Sequence, residues 1–382
     1  METTSTTGTE PAGSGASDAR ERPRRQRTER LWPAALALLL LSPLIGEVSS
    51  GSTPPLFVIQ PFFLIFLPTL YGIFALLTHE VIARRRLGWG NALLLGAAFG
   101  VFQEALIVQT WFNYMSPQSP IHSESDYGVI WGTSVNWALN LTIYHAVVSI
   151  TIPLILIAVF FPRRAPLPWL GPIRIVLLAA WMLLLCGALA VNVAFTRFEG
   201  DGYSGPPLIP YLLAAAFMLL LILLGVFVRF PAPRPNPAKR APRLWTVRLV
   251  CCGYMTLFFA FAVILPATGI PVVAAMAPML LLVAAALWQV RSWSARVGWN
   301  ERRLLSIAIG VMLCFAVIWG PFIEFVAQLP ARTGMTLVNL LILGALLLFD
   351  QRLKRRLARL AQAGAETPET PETPETLIRP VG

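Results

Sequence analysis

An all-α, polytopic membrane protein of about ten transmembrane helices is the fold class this chain predicts, on three observations. Apolar stretches of about twenty residues recur along it, each about long enough to cross a hydrocarbon core of roughly 30 Å. Hydrophobic residues make up 56% of the 382 and charged residues only 13%, with a mean hydropathy of +0.66. A soluble domain carries about twice that charged fraction. Finally, the basic residues sort by gap. With the gaps between apolar stretches numbered alternately inside and outside, all but three of the 30 Lys and Arg fall inside; Arg197 and Arg332 lie outside, and Arg379 sits in the far tail. Loops rich in Lys and Arg stay on the cytoplasmic side during insertion. Both termini are therefore expected in the cytoplasm, and the protein in the cell membrane.

The elements follow in order. Residues 1–30, rich in Thr, Gly, Ser and Ala and then basic from Arg20 to Arg30, are expected to be a disordered cytoplasmic tail. The first span is about 31–49; its basic approach and short apolar core also fit a signal peptide, although no A-x-A site follows. The second, about 56–78, ends at Arg84-Arg85-Arg86. The third is about 90–112, and a polar outer loop, 113–130, carries His122, Glu124 and Asp126. The fourth, about 131–161, closes at Arg163-Arg164. Residues 31–161 thus form a first membrane module of four spans. Residues 162–230 hold spans five and six, about 173–195 and 208–230. A Pro-rich stretch, 231–246, favours extended geometry and a stiff cytoplasmic linker. Residues 247–350 hold spans seven to ten, about 247–265, 270–290, 304–323 and 335–350. Beyond them, 351–361 has Leu353, Leu357 and Leu360 on one helical face and basic residues on the other, the pattern of a helix lying in the interface. The tail 362–382, with its Glu-Thr-Pro repeats, is expected to be disordered.

The net charge of +11 does not point to nucleic acid, because it sits in short loops where topology already accounts for it. Anionic lipid headgroups are the partner expected there, each surface Lys or Arg contributing about 1 kcal/mol. Lys239 and Lys354 are the only lysines; the Arg bias, with abundant Ala, Gly and Pro, points to a GC-rich, bacterial genome. No cofactor or metal is expected. There is no G-x-S-x-G, no G-x-x-x-x-G-K-[ST], no H-E-x-x-H and no C-x-x-C, and the chain has only 3 His. Cys186, Cys251, Cys252 and Cys314 all lie in predicted spans and read as small buried apolar residues.

Ionisable residues inside spans are costly and mark function by default. Glu104 lies about 21 Å along the third span at 1.5 Å per residue. Gly96, Gly100 and Glu104 share a face on which glycines admit a close helix neighbour. Gln103 and Gln109 add polarity to that helix. His145 lies at overlapping depth, about 12–21 Å into the fourth span, on an adjacent antiparallel helix. A Glu104–His145 pair is therefore expected within direct or one-water reach, sharing or exchanging a proton. Asn136, Asn140 and Tyr144 line another face of the fourth span, with Thr142 and Ser149 near His145. Glu47 ends the first span and is placed to fold over the outer mouth toward Glu104. Glu80 reads as a surface ion pair beside the arginines and His79 as a headgroup-level residue. Pro61, Pro68 and Pro153 free backbone carbonyls within spans. Trp111, Tyr114, Tyr127 and Trp131 read as an interfacial belt.

The stretch from Gly46-Glu47 through Tyr71-Gly72, Glu80, Trp89, Leu93-Leu94-Leu95-Gly96, Gln103-Glu104, Asn113 and His145 to Pro153 resembles a group of uncharacterised bacterial multi-pass proteins. It covers roughly the first third of the chain and implies where a site lies, not what it does. The same stretch has a fainter likeness to the CAAX-processing protease family, whose membrane-embedded site uses Glu-Glu-x-x-x-Arg followed by histidines on later helices. Here Gln103-Glu104 stands for the Glu pair, Val108 replaces the Arg, His145 matches the first histidine, and no later span holds a His.

Three functions are weighed. A permease or solute- or lipid-handling protein would use Glu104, His145, Gln103, Asn136, Asn140, Tyr144 and Glu47 as its proton and substrate site. An intramembrane hydrolase would need the histidines that later spans lack. A structural or assembly role would use the same polar residues only to hold helices together. Substrate and oligomeric state are not encoded in any motif.

Overall fold

A computed structural model describes residues 31–113, 127–195, 203, 205–326 and 332–366. The expected amino-terminal tail, the outer-loop residues His122, Glu124 and Asp126 with Tyr114, and the carboxyl-terminal residues from 367 on lie outside the described residues. Among the described residues, ten long helices carry the fold: α1 Trp32–Val48, α2 Pro61–Arg85, α3 Trp89–Ile107, α4 Val135–Phe160, α5 Pro172–Phe195, α6 Leu208–Phe227, α7 Leu244–Ala267, α8 Val272–Ser294, α9 Glu301–Val326 and α10 Met335–Glu366. Nine of them are long and apolar enough to cross a membrane; α1 is shorter, about 25 Å at 1.5 Å per residue. The protein is an all-α polytopic membrane protein, as its hydropathy predicts.

Helix α4 organises the packing. Val148, Ile152, Ile155, Leu156 and Val159 enter one buried cluster with residues of α7, α9 and α10. Ile150, Leu154 and Ile157 enter a second with α1, α2, α3 and Cys186 of α5. Helices α3, α4 and α9 are mostly buried, whereas α5, α6 and α8 expose most of their apolar surface, as helices bordering lipid do. The glycine face of α3 lies against α4. A Cβ on Gly96 would come within 2.9 Å of the Ala146 Cα, and one on Gly100 within 3.0 Å of the Thr142 Cα.

The two ends of the bundle differ. At the arginine-rich end, Arg85 donates to Val226 O at 3.4 Å, Arg291 to Pro231 O at 2.7 Å and Arg303 to Pro242 O at 3.0 Å. The buried Arg248 and the partly exposed Arg302 share Asp350, at 2.6 Å and 2.8 Å, tying α7, α9 and α10 together. At the opposite end, the short hairpin β1 Val129–Ile130 and β2 Thr133–Ser134 precedes α4. There Trp319 Nε1 and Asn339 Nδ2 donate to the carbonyls of Ser50 and Ser49, each at 3.1 Å, docking the segment after α1 onto α9 and α10.

Several expectations need correction. Glu80 and His79 are buried, not at the surface. The chain after α4 folds back over them: Glu80 accepts the backbone N–H of Trp169 at 2.5 Å and of Leu170 at 3.0 Å, besides Arg84 Nε at 3.0 Å. The His79 ring stacks on Trp169 at 3.5 Å, its Nε2 lying 2.8 Å from Ala165 O. Trp111 is buried while Trp131 is 80% exposed, so only Trp131 of those two is placed as a belt residue. The Pro-rich stretch is extended as expected, yet it is docked: β3 Asn236–Arg240 pairs in parallel with β4 Arg296–Val297. Residues 351–361 form no separate helix; α10 runs unbroken past them to Glu366. No Gly or Pro interrupts 345–363, and helix formers carry the helix into the expected tail as far as Glu366.

Candidate functional site

Six helical segments are wound as π turns among the described residues, and four of them meet in one place. These are Leu44–Val48 in α1, Pro68–Gly72 in α2, Phe102–Ile107 in α3 and His145–Thr151 in α4. They carry Glu47, Tyr71, Gln103 with Glu104, and His145 with Ser149. A π turn inserts a residue into the i→i−4 ladder and re-aims the side chains around it.

Prolines explain much of this winding. Pro43 has no N–H for the carbonyl of Leu39, and Pro153 none for that of Ser149. Both freed groups find neighbours in the site. The Ser42 hydroxyl donates to Ser149 O at 2.6 Å. The Leu39 carbonyl lies against Gly72, where an added Cβ would collide with its oxygen. Pro68 opens the α2 π turn itself. Phe102–Ile107 contains no proline; its Glu104 carbonyl accepts Trp111 N at 3.5 Å and the Thr110 hydroxyl at 3.4 Å.

Two chains of hydrogen bonds result. In the first, Glu47 accepts the Thr53 hydroxyl at 2.7 Å and the Tyr71 hydroxyl through its other oxygen, and Gln103 Nε2 donates to the Tyr71 oxygen at 2.5 Å. In the second, Glu104 accepts the Thr110 hydroxyl through Oε2, while its Oε1 lies 2.9 Å from His145 Nε2. His145 Nδ1 in turn lies 2.8 Å from Ser149 Oγ. The His145 ring is enclosed by aromatic neighbours: Tyr144 at 5.3 Å, Phe99 at 5.4 Å and Tyr71 at 5.9 Å between centroids. Tyr71 thus touches both chains, through its hydroxyl and through its ring.

The anticipated Glu104–His145 contact is therefore direct. Gln103 and Glu47 join the same cluster through Tyr71. Tyr144 borders it, its hydroxyl donating to Gly46 O at 2.7 Å. Asn136 and Asn140 are buried on α4, but among the described residues no hydrogen bond joins them to the cluster, and neither amide atom of Asn140 has a partner. Thr53 and Thr110 are not legible as site residues in the sequence, and Tyr71 is marked there only by the family resemblance. Tyr71 reads as one more apolar position, although Pro68 three residues earlier and Gly72 just after it mark an irregular turn. Ser149 does carry a signal, since it stands four residues before Pro153.

The arrangement can hold and pass protons. Two carboxylates, an imidazole and a phenol lie within a low-dielectric interior, where each charged form is costly unless paired. The four cysteines are free thiols, buried outside this cluster. Among the described residues, no group of three or more His, Cys, Asp or Glu is arranged to hold a metal ion.

The model of an uncharacterised membrane protein family matches residues 36–359, and the chain belongs to that family. No curated protein and no solved structure matches it.

Proposed function

We propose that this integral membrane protein moves a small solute or a lipid across or within the bilayer in step with a proton, and that Glu104 and His145 hold that proton. One observation supports this above the rest. Side chains from α1, α2, α3 and α4, all on π turns, converge on a buried cluster with two carboxylates and one imidazole. Moving a proton between Glu104 and His145 converts a neutral pair into an ion pair and changes which groups donate. A π turn relaxes to an α turn by shifting one hydrogen-bond register, so the altered bonds act where the helices rewind most readily. The test is reconstitution into liposomes with an imposed pH gradient, screening solutes and labelled lipids. Gradient-driven movement in the wild type that is lost in Glu104→Gln supports the reading; movement indifferent to both the gradient and the substitution overturns it.

The arginine-rich end is the cytoplasmic one in this reading, with both termini on that side of the cell membrane. Reporter fusions at Gln118 and Pro237 should read outside and inside respectively. Arg352, Arg355, Arg356 and Arg359 line an open concavity of about 420 Å³ on α10, a seat for anionic headgroups. Added anionic lipid should raise the melting temperature of the purified protein, and less so once these four are Gln.

A second reading rests on one relay. Glu104, His145 and Ser149 are bonded in series, as an acid, a base and a nucleophile are in serine hydrolases. Ser149 is fully buried, however, and Gly46 packs so closely that an added Cβ would meet Ser149 Oγ at 2.5 Å. A nucleophile needs room for the carbonyl it attacks. Labelling of the wild type by a fluorophosphonate, lost in Ser149→Ala, would favour hydrolysis over transport.

A further inference from the structure

Asn136, Asn140 and Tyr144 are spaced by four along α4 and share one face. All three are at least nine-tenths buried. Asn136 lies at the hairpin end, where its Cβ and Val272 of α8 flank Gly128. Tyr144 lies at the cluster end, its ring near Phe259 of α7 and Phe315 of α9 and its hydroxyl bonded to the carbonyl beside Glu47. Asn140 sits one turn from each and is buried. Among the described residues, its amide nitrogen and its amide oxygen are both buried without a partner. An amide offers two donors and an acceptor, and leaving all of them unmade in a buried position is strongly unfavourable.

We infer that Asn140 is the water-binding station of a lane that runs along this face of α4 from the hairpin end to the Glu47–Glu104–His145 cluster. Its ligand is water, held by the amide as both donor and acceptor. Asn136 forms the mouth and Tyr144 the inner end. A proton entering the lane would convert a water to hydronium, which would pass that proton to a cluster carboxylate and revert to water, the broken O–H bond's electron pair staying on the water oxygen. The inference rests on reading the cluster as a proton site, but its geometry does not require any particular solute. The lane explains why this face of α4 is polar even though none of its amides joins the cluster.

The test is thiol accessibility in the full chain with Cys186, Cys251, Cys252 and Cys314 replaced by Ala. Asn136→Cys, Asn140→Cys and, as a control on the same helix, Val148→Cys are made singly and reconstituted. Val148 is fully buried in the apolar core. Silver ion, small enough to follow water, is added from the hairpin side, and the thiols left free are counted with a maleimide after denaturation. The thiol of the Asn140→Cys variant should react at least about tenfold faster than that of Val148→Cys, which is reached only by local opening. The thiol of Asn136→Cys should react at least as fast as that of Asn140→Cys. Asn140→Ser, which keeps a polar group, serves as a check that the site tolerates substitution, read by gel filtration and thermal melting. An Asn140→Cys thiol no faster than the Val148→Cys thiol in a folded protein would overturn the lane. The readout is independent of transport. A reactive Asn140→Cys thiol beside a silent Glu104→Gln keeps the lane and removes the proton site. A Glu104→Gln that abolishes gradient-driven movement beside an unreactive Asn140→Cys thiol does the reverse.

Discussion

Both ring nitrogens of His145 are engaged: Nε2 stands 2.9 Å from Glu104 Oε1, and Nδ1 stands 2.8 Å from Ser149 Oγ. This fixes what a proton does when it moves. With Glu104 ionised and His145 neutral, Nε2–H donates to the carboxylate and Nδ1 accepts from the Ser149 hydroxyl. With Glu104 protonated, the carboxyl donates to Nε2, Nδ1–H donates to Ser149 Oγ, and the serine hydrogen must turn elsewhere. A change at Glu104 would thereby reach the π turn of α4 and the Gly46 contact of α1.

The contact of α1 with α2 should tolerate no side chain at Gly72. A Cβ there would collide with the Leu39 carbonyl oxygen and stand 2.9 Å from the Leu39 Cα, both backbone atoms. Gly72→Ala is expected to destabilise the purified protein by about 1–3 kcal/mol, the usual cost of overpacking, read as a lower melting temperature in detergent. An unchanged melting temperature would show that the two helices separate freely.

Ser42 and Pro153 should be energetically coupled, because one supplies the donor the other withholds. Ser42→Ala removes the side-chain donor of the Ser149 carbonyl and should cost about 1–3 kcal/mol. In a Pro153→Ala background that carbonyl regains a helical N–H, and the cost of Ser42→Ala should shrink by about half or more. A double-mutant cycle by thermal or denaturant melting measures the difference; strictly additive effects would refute the link.

At the arginine-rich end, Asp350→Asn should be among the most disruptive single changes outside the cluster. It removes the charge that Arg248 and Arg302 share while leaving Arg248 buried. Breaking a buried pair by removing one partner costs about 3–5 kcal/mol. Replacing Arg248 by Met together with Asp350→Asn should recover part of the loss, again read by melting.

Much of this architecture is legible in the chain because a bilayer imposes simple rules. Span length, the spacing of Gly96, Gly100 and Glu104, and the matched depth of His145 follow from rise per residue and from the cost of facing lipid. What stays hidden arises where a rule of fixed period fails or where distant chain segments decide. Helical counting assumes 3.6 residues per turn, so the π turns that bring Tyr71 to Glu47 cannot be read from periodicity. Glu80 and His79 look like surface residues until the segment after α4 covers them, a tertiary event with no local signature. Hydropathy alone divides α10 in two, although helix propensity carries through the change from apolar to basic residues.

Glu104 is proposed to change protonation within the folded protein. Infrared difference spectroscopy of the purified wild type, stepped between about pH 5 and pH 9, tests this without knowledge of any substrate. A carboxylic-acid carbonyl band should appear or disappear across the steps, be absent in Glu104→Gln, and be shifted or altered in amplitude in His145→Ala. A wild-type spectrum whose pH-dependent carbonyl bands all persist unchanged in Glu104→Gln would instead show a fixed strut at this position.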